Sequence, residues 1–342
     1  MRQAKLWKTC LTVSAVLICL LLGLALLSVE TAESPASHRE APQLSQERPA
    51  PIVVLPPGEV DSSYTVRVLH GETMEEMPMN RYLQGVVRAE MPAAFAEEAL
   101  CAQAVAARTY TLYKMMTGTK HPQADICTDA ACCQAYLTEE QAGEKWGIDA
   151  AHNEERICNA VSATDGQTMV YEGEPILAVF HASSPGQTRR AGEVWSSDLP
   201  YLQSVSSPED GNMIPDYYSR VELECDAFRK AFLKVHPEAV LTGDPAGWIT
   251  ELTTSEGSVH VDTVTVGGVA VRGVELRQIF GLRSAAFDVE VKDGYVRFFV
   301  SGYGHGVGMS QYGANEMAEN GADWKEILMH YYTGVNFEIR GR

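Results

Sequence analysis

The sequence lacks the excess of basic residues that a polyanion-binding protein needs. Its 342 residues include 27 Lys and Arg against 45 Asp and Glu, which gives a formal net charge of -18. Nucleic acids and anionic membrane surfaces attract proteins through clustered positive charge. The composition therefore disfavours both as the main partner, although acidity alone does not identify a substrate.

The most glycine-rich segment also lacks the residues of a nucleotide site. Residues 301–314, SGYGHGVGMSQYGA, place four glycines around His305. They have neither the GK[ST] ending of a phosphate-binding loop nor the helix context of a dinucleotide site. The glycines allow the backbone to pass tightly against another segment. His305 is then either a catalytic group or a histidine that is hydrogen-bonded inside a crowded loop.

The amino-terminal region lacks charge over a length that can cross a bilayer. Residues 9–29 contain no charged side chain, with Arg2, Lys5 and Lys8 before them and Glu30 after them. This pattern predicts a single-pass anchor with a cytoplasmic amino terminus and an exported remainder. A cleaved signal peptide is the alternative. Residues 31–60 are rich in Pro, Ser and Glu without apolar periodicity, which is typical of a solvated linker.

Residues 61–342 are predicted to form an α+β domain, as one large mixed unit or two interlocked ones. The patterns indicate helices over residues 81–90, 97–116, 136–146, 153–164, 225–235 and 323–333. They indicate strands over 64–69, 168–171, 178–181 and within 248–300, where Asp293 and Gly294 suggest a hairpin turn. Several antiparallel strands and a helical pair at residues 81–116 are therefore expected.

Glu90 occupies a position where an apolar residue is expected. Leu83, Val86 and Val87 form one helical stripe, and the next position on that stripe is Glu90, shortly before the helix-disfavouring Pro92. A carboxylate facing a core is costly unless it is paired or protonated. One interpretation is a buried ion pair with Arg108, which interrupts an apolar face of the next helix. The other is a general acid whose pKa is raised by partial burial.

A loop after the second helix holds candidate metal ligands. His121, Cys127 and Cys133 are spaced six residues apart, with Cys132 adjacent to the last. An imidazole and thiolates suit Zn²⁺, although the spacing is not a common zinc-finger form. In an exported domain two of these cysteines could instead form a disulfide, with Cys158 and Cys225 as other partners. Free thiols without a joint role are the third interpretation.

Two further loops carry polar groups suited to a sugar ligand. FHASSPGQT, at 180–188, places Ser183 and Ser184 after a strand, and LPYLQSV, at 199–205, contributes Tyr201 and Gln203. Hydroxyls and free backbone amides on a loop are what polar substrates require. An ordinary connecting loop remains the alternative for the serine segment.

Together, YLQGVVRAEMPAAF, EALCAQAVAARTYTL, FHASSPGQT, LPYLQSV and GYGHGVGMSQYGA closely resemble the stage II sporulation protein D family, over about residues 61–340 in the family order. The resemblance implies a lytic transglycosylase that acts on peptidoglycan strands stripped of stem peptides during forespore engulfment. It also implies a location between the mother-cell and forespore membranes. Implied partners are an amidase and endopeptidase (SpoIIP) and a membrane scaffold (SpoIIM).

The resemblance also implies roles for particular residues. Glu90 matches the catalytic acid, Arg108 matches an arginine needed for activity, and Tyr201 matches a tyrosine of the groove. Some relatives have lysine where this chain has Gln203, so the role of that position is open. His121, Cys127 and Cys133 match a zinc site of clostridial members. We expect any zinc to be structural, because acid catalysis does not need a Lewis acid.

Arg108 is expected to orient Glu90 or a substrate oxygen, and Ser183, Ser184 and His305 are expected to line the groove. Two rival functions remain. One is a zinc amidase or peptidase, disfavoured because exported cell-wall peptidases usually bind zinc through His and carboxylates. The other is a non-catalytic scaffold or amidase enhancer that binds glycan and recruits other wall enzymes.

Overall fold

The computed structural model describes residues 54–255 and 257–341. The predicted anchor at residues 9–29 and the linker up to residue 53 lie outside these ranges. Within the described ranges, no helix has both the length and the apolar character that a membrane span requires. The elements named in this section all belong to the carboxyl-terminal domain.

The first part of the domain is mainly helical. In chain order its elements are α1 (Glu59–Ser63), β1 (Thr65–His70), β2 (Thr73–Pro78), α2 (Met79–Glu90), α3 (Glu97–Thr117), β3 (Ile126–Cys127), α4 (Glu139–Trp146), α5 (Ala150–Ala163), β4 (Gln167–Tyr171), β5 (Glu174–Pro175), β6 (Phe180–His181) and α6 (Ala191–Val194). Short 3₁₀ turns lie at Gly147–Asp149 and Gly211–Met213.

The second part begins with strands and returns to helices. Its elements are β7 (Tyr218–Glu224), α7 (Cys225–Val235), β8 (Ile249–Thr254), β9 (Val261–Val266), β10 (Val269–Arg272), α8 (Gly273–Phe280), β11 (Phe287–Lys292), β12 (Tyr295–Ser301), β13 (Met309–Ser310), α9 (Gln311–Glu319), α10 (Trp324–Tyr331) and β14 (Asn336–Ile339), with a 3₁₀ turn at Pro245–Gly247.

Within the described residues the strands form five small sheets. Their orders are β2-β1-β3, β14-β4-β5, β10-β9-β8, β11-β12-β7 and the two-stranded β13-β6. All pairs are antiparallel except β1 with β3 and β6 with β13. The turn between β11 and β12 is made by Asp293 and Gly294, both with positive φ, which suits a tight hairpin. The predicted α+β class with several antiparallel strands is confirmed.

Helix α3 is the centre of the larger hydrophobic core. Every residue from Ala99 to Leu112 is buried, which is typical of a helix enclosed on all sides. Its alanines favour helix and let neighbours approach closely, and α2, α5, α9, α10 and β4 pack around it. The helix ends at Gly118, whose φ of 88° suits glycine.

A second core lies within residues 225–300. The ring of Phe228 packs against Phe232, Trp248, Phe280 and Phe298, so α7 and α8 cover one face of the β11-β12-β7 sheet. The described residues nevertheless form one compact unit. One large mixed domain with two cores therefore fits the structure.

Candidate active site

Glu90 is the last residue of α2 and is partly buried. The N–H of Met91 still bonds to the Val87 carbonyl, and the chain then leaves the helix before Pro92. The Ala135 N–H donates to Glu90 Oε1 at 2.7 Å. Burial raises the pKa of the Glu90 carboxyl, while hydrogen bonds from Ala135 and the Gln311 side chain partly oppose that rise. Desolvation is the larger effect, so the carboxyl holds its proton to a higher pH than an exposed glutamate.

Glu90 faces a cleft of about 840 Å³. Its lining comes from the ends of α2 and α3, the cysteine loop, strand β6, α8 and the glycine-rich loop before β13. The lining residues with polar, aromatic or thiol side chains are Glu90, Tyr110, Lys114, Lys120, Cys132, Cys133, Gln134, Phe180, His181, Trp195, Arg277, Tyr303, His305 and Gln311. Glu90 is the only carboxylate among the described residues that line this cleft.

Arg108 does not pair with Glu90. Its Nε donates to Asp61 Oδ1 at 2.9 Å and its Nη2 to Asp61 Oδ2, while Nη1 donates to the Gln167 carbonyl at 3.2 Å. Both members of this ion pair are almost wholly buried. The predicted contact of Arg108 with Glu90 is wrong, because the guanidinium is turned to α1 and β4. Asp61 was not predicted from the sequence as its partner.

The cysteine loop gathers a metal-ligand set that differs by one residue from the prediction. Donor atoms of His121, Cys127 and Cys132 lie within 4.8 Å of one another, whereas the prediction named Cys133. Cys132 Sγ is 3.5 Å from His121 Nε2 and 3.9 Å from Cys133 Sγ. Tetrahedral Zn²⁺ with ordinary bond lengths has ligand–ligand edges of about 3.6 to 3.8 Å. The 3.5 Å edge between Cys132 and His121 is close to this spacing, and all three donors lie within 4.8 Å of one another, so the donor types and their proximity suit zinc, with Cys133 next to the triad.

The disulfide interpretation is wrong for the described cysteines. Cys101, Cys127, Cys132, Cys133, Cys158 and Cys225 are all free thiols. Cys158 Sγ instead lies 3.2 Å from a Glu154 carboxylate oxygen, and Cys225 belongs to the second core. Neither thiol reaches the cysteine loop.

His305 lines the cleft, and both of its ring nitrogens are already hydrogen-bonded. Its Nδ1 accepts the Val307 N–H at 3.1 Å, and the ring also bonds to the Phe180 backbone. Burial and the nearby charge of Arg277 lower the pKa of His305 to about 4. The imidazole is thus neutral and its hydrogen bonds are satisfied. His305 therefore contributes to the shape of the cleft and does not act as a general acid or base.

Ser183 and Ser184 lie behind the cleft wall. Both are buried, and the Ser184 hydroxyl donates to His181 Nε2 at 2.6 Å. His181 Nδ1 bonds to the Val307 carbonyl, which fixes the proton on that nitrogen. The prediction that the two serines line the groove is wrong for this cleft, because neither residue belongs to its lining and the Ser184 hydroxyl is turned to His181.

Tyr201 and Gln203 support the cleft from outside. The Tyr201 hydroxyl accepts the Leu177 N–H at 3.2 Å, and Leu177 is a cleft residue. Gln203 Nε2 donates to the carbonyls of Leu199 and Pro200 in its own loop. Tyr201 therefore positions the segment before β6, and Gln203 braces a turn.

Among the cleft residues that reasoning from the sequence missed, Gln311, Lys114, Tyr110 and Arg277 bear most on the site. Gln311, which bonds to Glu90, follows the glycine-rich loop directly, and its position in GMSQYGA was an available signal. Lys114 and Tyr110 lie on the face of α3 near its end. Arg277 had no local signal, because α8 reaches the cleft only through the packing of the second core.

Comparison with known proteins identifies similar chains. Residues 70–171 match the model of a family described as "Stage II sporulation protein". "Stage II sporulation protein D" of Bacillus amyloliquefaciens is 38% identical over 267 residues, covering 77% of this chain and 75% of the relative. The protein of the same name in Bacillus subtilis (strain 168) is 34% identical over 266 residues, with the same coverage. "Amidase enhancer" of Bacillus subtilis (strain 168) is 30% identical over 303 residues, covering 74% of this chain and 40% of the relative.

Proposed function

The chain belongs to the stage II sporulation protein D family, and on that basis we propose that it is a lytic transglycosylase of peptidoglycan. The substrate is the glycan strand, cleaved between N-acetylmuramic acid and N-acetylglucosamine. One observation carries the proposal: a partly buried carboxyl with a raised pKa is the single described carboxylate in a cleft large enough for sugars. Membership of the family makes this a sporulation protein.

In the first step Glu90 acts as a general acid. Its carboxyl donates a proton to the glycosidic oxygen, and the bond from that oxygen to C1 of the muramic sugar breaks. A raised pKa suits this role, because at any given pH a larger fraction of the carboxyl carries the proton that it must donate. The hydrogen bonds from Ala135 and Gln311 hold the group in place in both protonation states.

In the second step the same carboxylate acts as a base. It removes the proton of the C6 hydroxyl on the muramic sugar, whose oxygen attacks C1 and closes a 1,6-anhydro ring. The proton lost in the first step is thereby restored to Glu90, and no water is consumed. Glycosidases that hydrolyse the bond ordinarily need two carboxylates. The presence of a single described one at this cleft supports an intramolecular attack.

Arg108 is proposed to position Glu90 indirectly. It sits on α3, which packs against α2, and its buried pair with Asp61 fixes α1 against that helix. Removing either partner leaves an uncompensated buried charge. The requirement for this arginine is then structural, and it acts through the helix pair rather than on the substrate.

Zinc is proposed as a structural cofactor held by His121, Cys127 and Cys132. A bound ion would cross-link the loop that ends shortly before Ala135, whose N–H bonds to Glu90. Ordering this loop places a hydrogen-bond donor at the catalytic carboxyl. The acid and base steps themselves belong to Glu90.

The proposed setting is the cell envelope of a sporulating cell. The uncharged segment at residues 9–29 would anchor the chain and leave the domain between the mother-cell and forespore membranes. Proposed partners are the glycan strand, an amidase and endopeptidase (SpoIIP) that strips stem peptides, and a membrane scaffold (SpoIIM). The net charge of -18 continues to disfavour nucleic acid.

The direct test is the Glu90→Gln variant with purified glycan strands. The substitution preserves size and hydrogen bonding but removes the transferable proton, so turnover is expected to be abolished while strand binding is retained. Gln278→Glu, at an exposed position on α8, serves as a control and should keep full turnover. Retained turnover by Glu90→Gln would overturn the proposal.

A second candidate function is a non-catalytic amidase enhancer. The similarity to the Bacillus subtilis protein of that name supports it. Under this function Glu90→Gln would leave both glycan binding and the cellular phenotype intact. The same experiment carried out in sporulating cells therefore separates the two functions.

A further inference from the structure

The cleft has the opposite charge balance from the rest of the protein. The chain carries 45 acidic against 27 basic residues, yet the described cleft residues include three cations, Lys114, Lys120 and Arg277, and one carboxyl, Glu90. The cations therefore outnumber the carboxyl by three to one in this lining. A cationic cleft in an acidic protein focuses attraction on an anionic ligand.

Arg277 has hydrogen-bonding capacity directed at the cleft. Its Nε donates to the Arg283 carbonyl at 3.2 Å, and the N–H of Gly304 donates to the same carbonyl at 3.0 Å. This shared acceptor ties α8 to the glycine-rich loop and fixes the base of the arginine side chain. No ion pair joins Arg277 to a carboxylate within residues 54–255 and 257–341. A partly buried guanidinium without such a partner is unusual.

Lys114 also lines this cleft. Its Nζ is 5.5 Å from the centre of the Tyr110 ring, and it too forms no ion pair with a carboxylate in the described part of the chain. Lys114 belongs to α3 in the first core and Arg277 to α8 in the second. The two cations therefore reach the same cleft from elements far apart in sequence.

We propose that Arg277 and Lys114 form a subsite that binds a carboxylate of the substrate, and that this subsite sets the preference of the cleft among glycan strands. The inference rests on the proposed glycan substrate. A guanidinium fork can bind a carboxylate through two parallel hydrogen bonds, and an ammonium adds a point charge. The carboxylate has two sources: the lactyl group of a muramic sugar without a stem peptide, or the peptide itself.

The test measures binding of labelled strands to full-length protein carrying Glu90→Gln, so that no probe is consumed. Three probes are compared: peptide-free strands, the same strands with the lactyl carboxyls converted to methylamides, and strands with intact stem peptides. The methylamide removes charge with little change in size. We expect peptide-free strands to bind roughly tenfold more tightly than the methylamide strands, as for loss of one charge-assisted hydrogen bond.

Variants then assign this preference to residues. Arg277→Gln is expected to weaken binding of peptide-free strands roughly tenfold and to leave binding of methylamide strands unchanged. Arg277→Lys keeps the charge without the fork and should give an intermediate loss. Lys114→Gln should give a smaller loss of the same selectivity. The exposed Arg229→Gln and Lys234→Gln on α7 serve as matched controls and should leave all affinities unchanged.

Each outcome decides the inference. The inference is overturned if peptide-free and methylamide strands bind equally and Arg277→Gln does not change the binding of strands with stem peptides. If Arg277→Gln weakens binding only of the strands with stem peptides, the subsite is supported and the carboxylate that it binds belongs to the peptide. If the Glu90→Gln protein shows the charge preference but the wild type releases no anhydro-sugar, the proposed reaction fails while the binding subsite stands. A loss of binding by Arg277→Gln that is equal for all three probes contradicts the inference.

Discussion

The backbone N–H of Ala135 donates to Glu90 Oε1 at 2.7 Å, which joins the end of the cysteine loop to the last residue of α2. The catalytic candidate is thereby held by a segment that follows the metal-ligand set directly. Burial of Glu90 raises its pKa and this hydrogen bond moderates the rise. The loop and the carboxyl therefore form one functional unit, whose parts can be separated by substitution.

Removal of Asp61, the buried partner of Arg108, is expected to destabilise the domain. Asp61→Ala leaves the guanidinium unpaired in the core, so we expect it to lower the free energy of unfolding by about 3–5 kcal/mol. Arg108→Ala should have a similar effect. Urea unfolding measures both. The exposed pair of Arg220 with Glu222 provides the control, since Arg220→Ala should cost less than about 1 kcal/mol. A loss of activity by Arg108→Ala with unchanged stability would refute the structural role.

The stability difference between the wild type and Glu90→Gln is expected to depend on pH. A carboxyl whose folded pKa is raised stabilises the fold below its unfolded pKa, and that contribution is lost as pH rises through the folded pKa. Glu90→Gln should therefore be more stable than the wild type at neutral pH, and this advantage should disappear in acid below about pH 4. Denaturant unfolding at both pH values measures it. A constant difference across that range would contradict the raised pKa.

The zinc content is expected to fall in the Cys132→Ser variant and to be unchanged in the Cys158→Ser variant. Cys132→Ser removes a donor from the triad with His121 and Cys127, so protein purified without added zinc should lose its bound metal. Cys158→Ser, outside the loop, should keep it. Elemental analysis of the two proteins measures the ratio of zinc to chain. Full zinc occupancy of Cys132→Ser would show that Cys133 completes the site instead.

The glycine-rich loop is expected to tolerate no side chain at Gly308. A Cβ there would lie 2.0 Å from the Val179 carbonyl oxygen, in a backbone with φ of 70°. Gly268 has a similarly positive φ, but a Cβ at that position would meet open space, so Gly268→Ala should cost only the backbone strain, about 1–2 kcal/mol. Gly308→Ala adds overpacking of about 1–3 kcal/mol. Equal thermal stability of the two variants would contradict the close approach of this loop to the strand segment before β6.

Helices α2 and α3 and the unusual position of Glu90 were predictable from the sequence, because the patterns that indicate them are local. The stripe of Leu83, Val86 and Val87, the break at Pro92 and the alanine-rich run predicted α2 and α3 closely, since each signal acts within a few residues. The Asp293–Gly294 turn was likewise predicted. Strand 178–181 was predicted too long. Only Phe180–His181 pair with β13, and that pairing is decided by a distant segment.

The partners of the site residues could not be predicted because they are set by tertiary packing. Arg108 pairs with Asp61, which lies 47 residues earlier in a five-residue helix, and no spacing rule joins them. The regular spacing favoured Cys133 over the adjacent Cys132, and only the folded loop turns Cys132 toward His121. The serines after β6 look accessible in sequence, whereas Ser184 is turned inward to His181. Arg277 reaches the cleft because α8 packs in the second core, and the sequence did not show that this core is distinct from the first.

The most direct measurement is mass spectrometry of the products released from peptide-free glycan strands by the full-length protein. We expect 1,6-anhydro-muramic ends, each lighter by one water than a hydrolysis product, and no such ends with Glu90→Gln. Products with free reducing ends, or anhydro ends that persist in Glu90→Gln, would contradict the assignment of Glu90 as the acid and base of a transglycosylase.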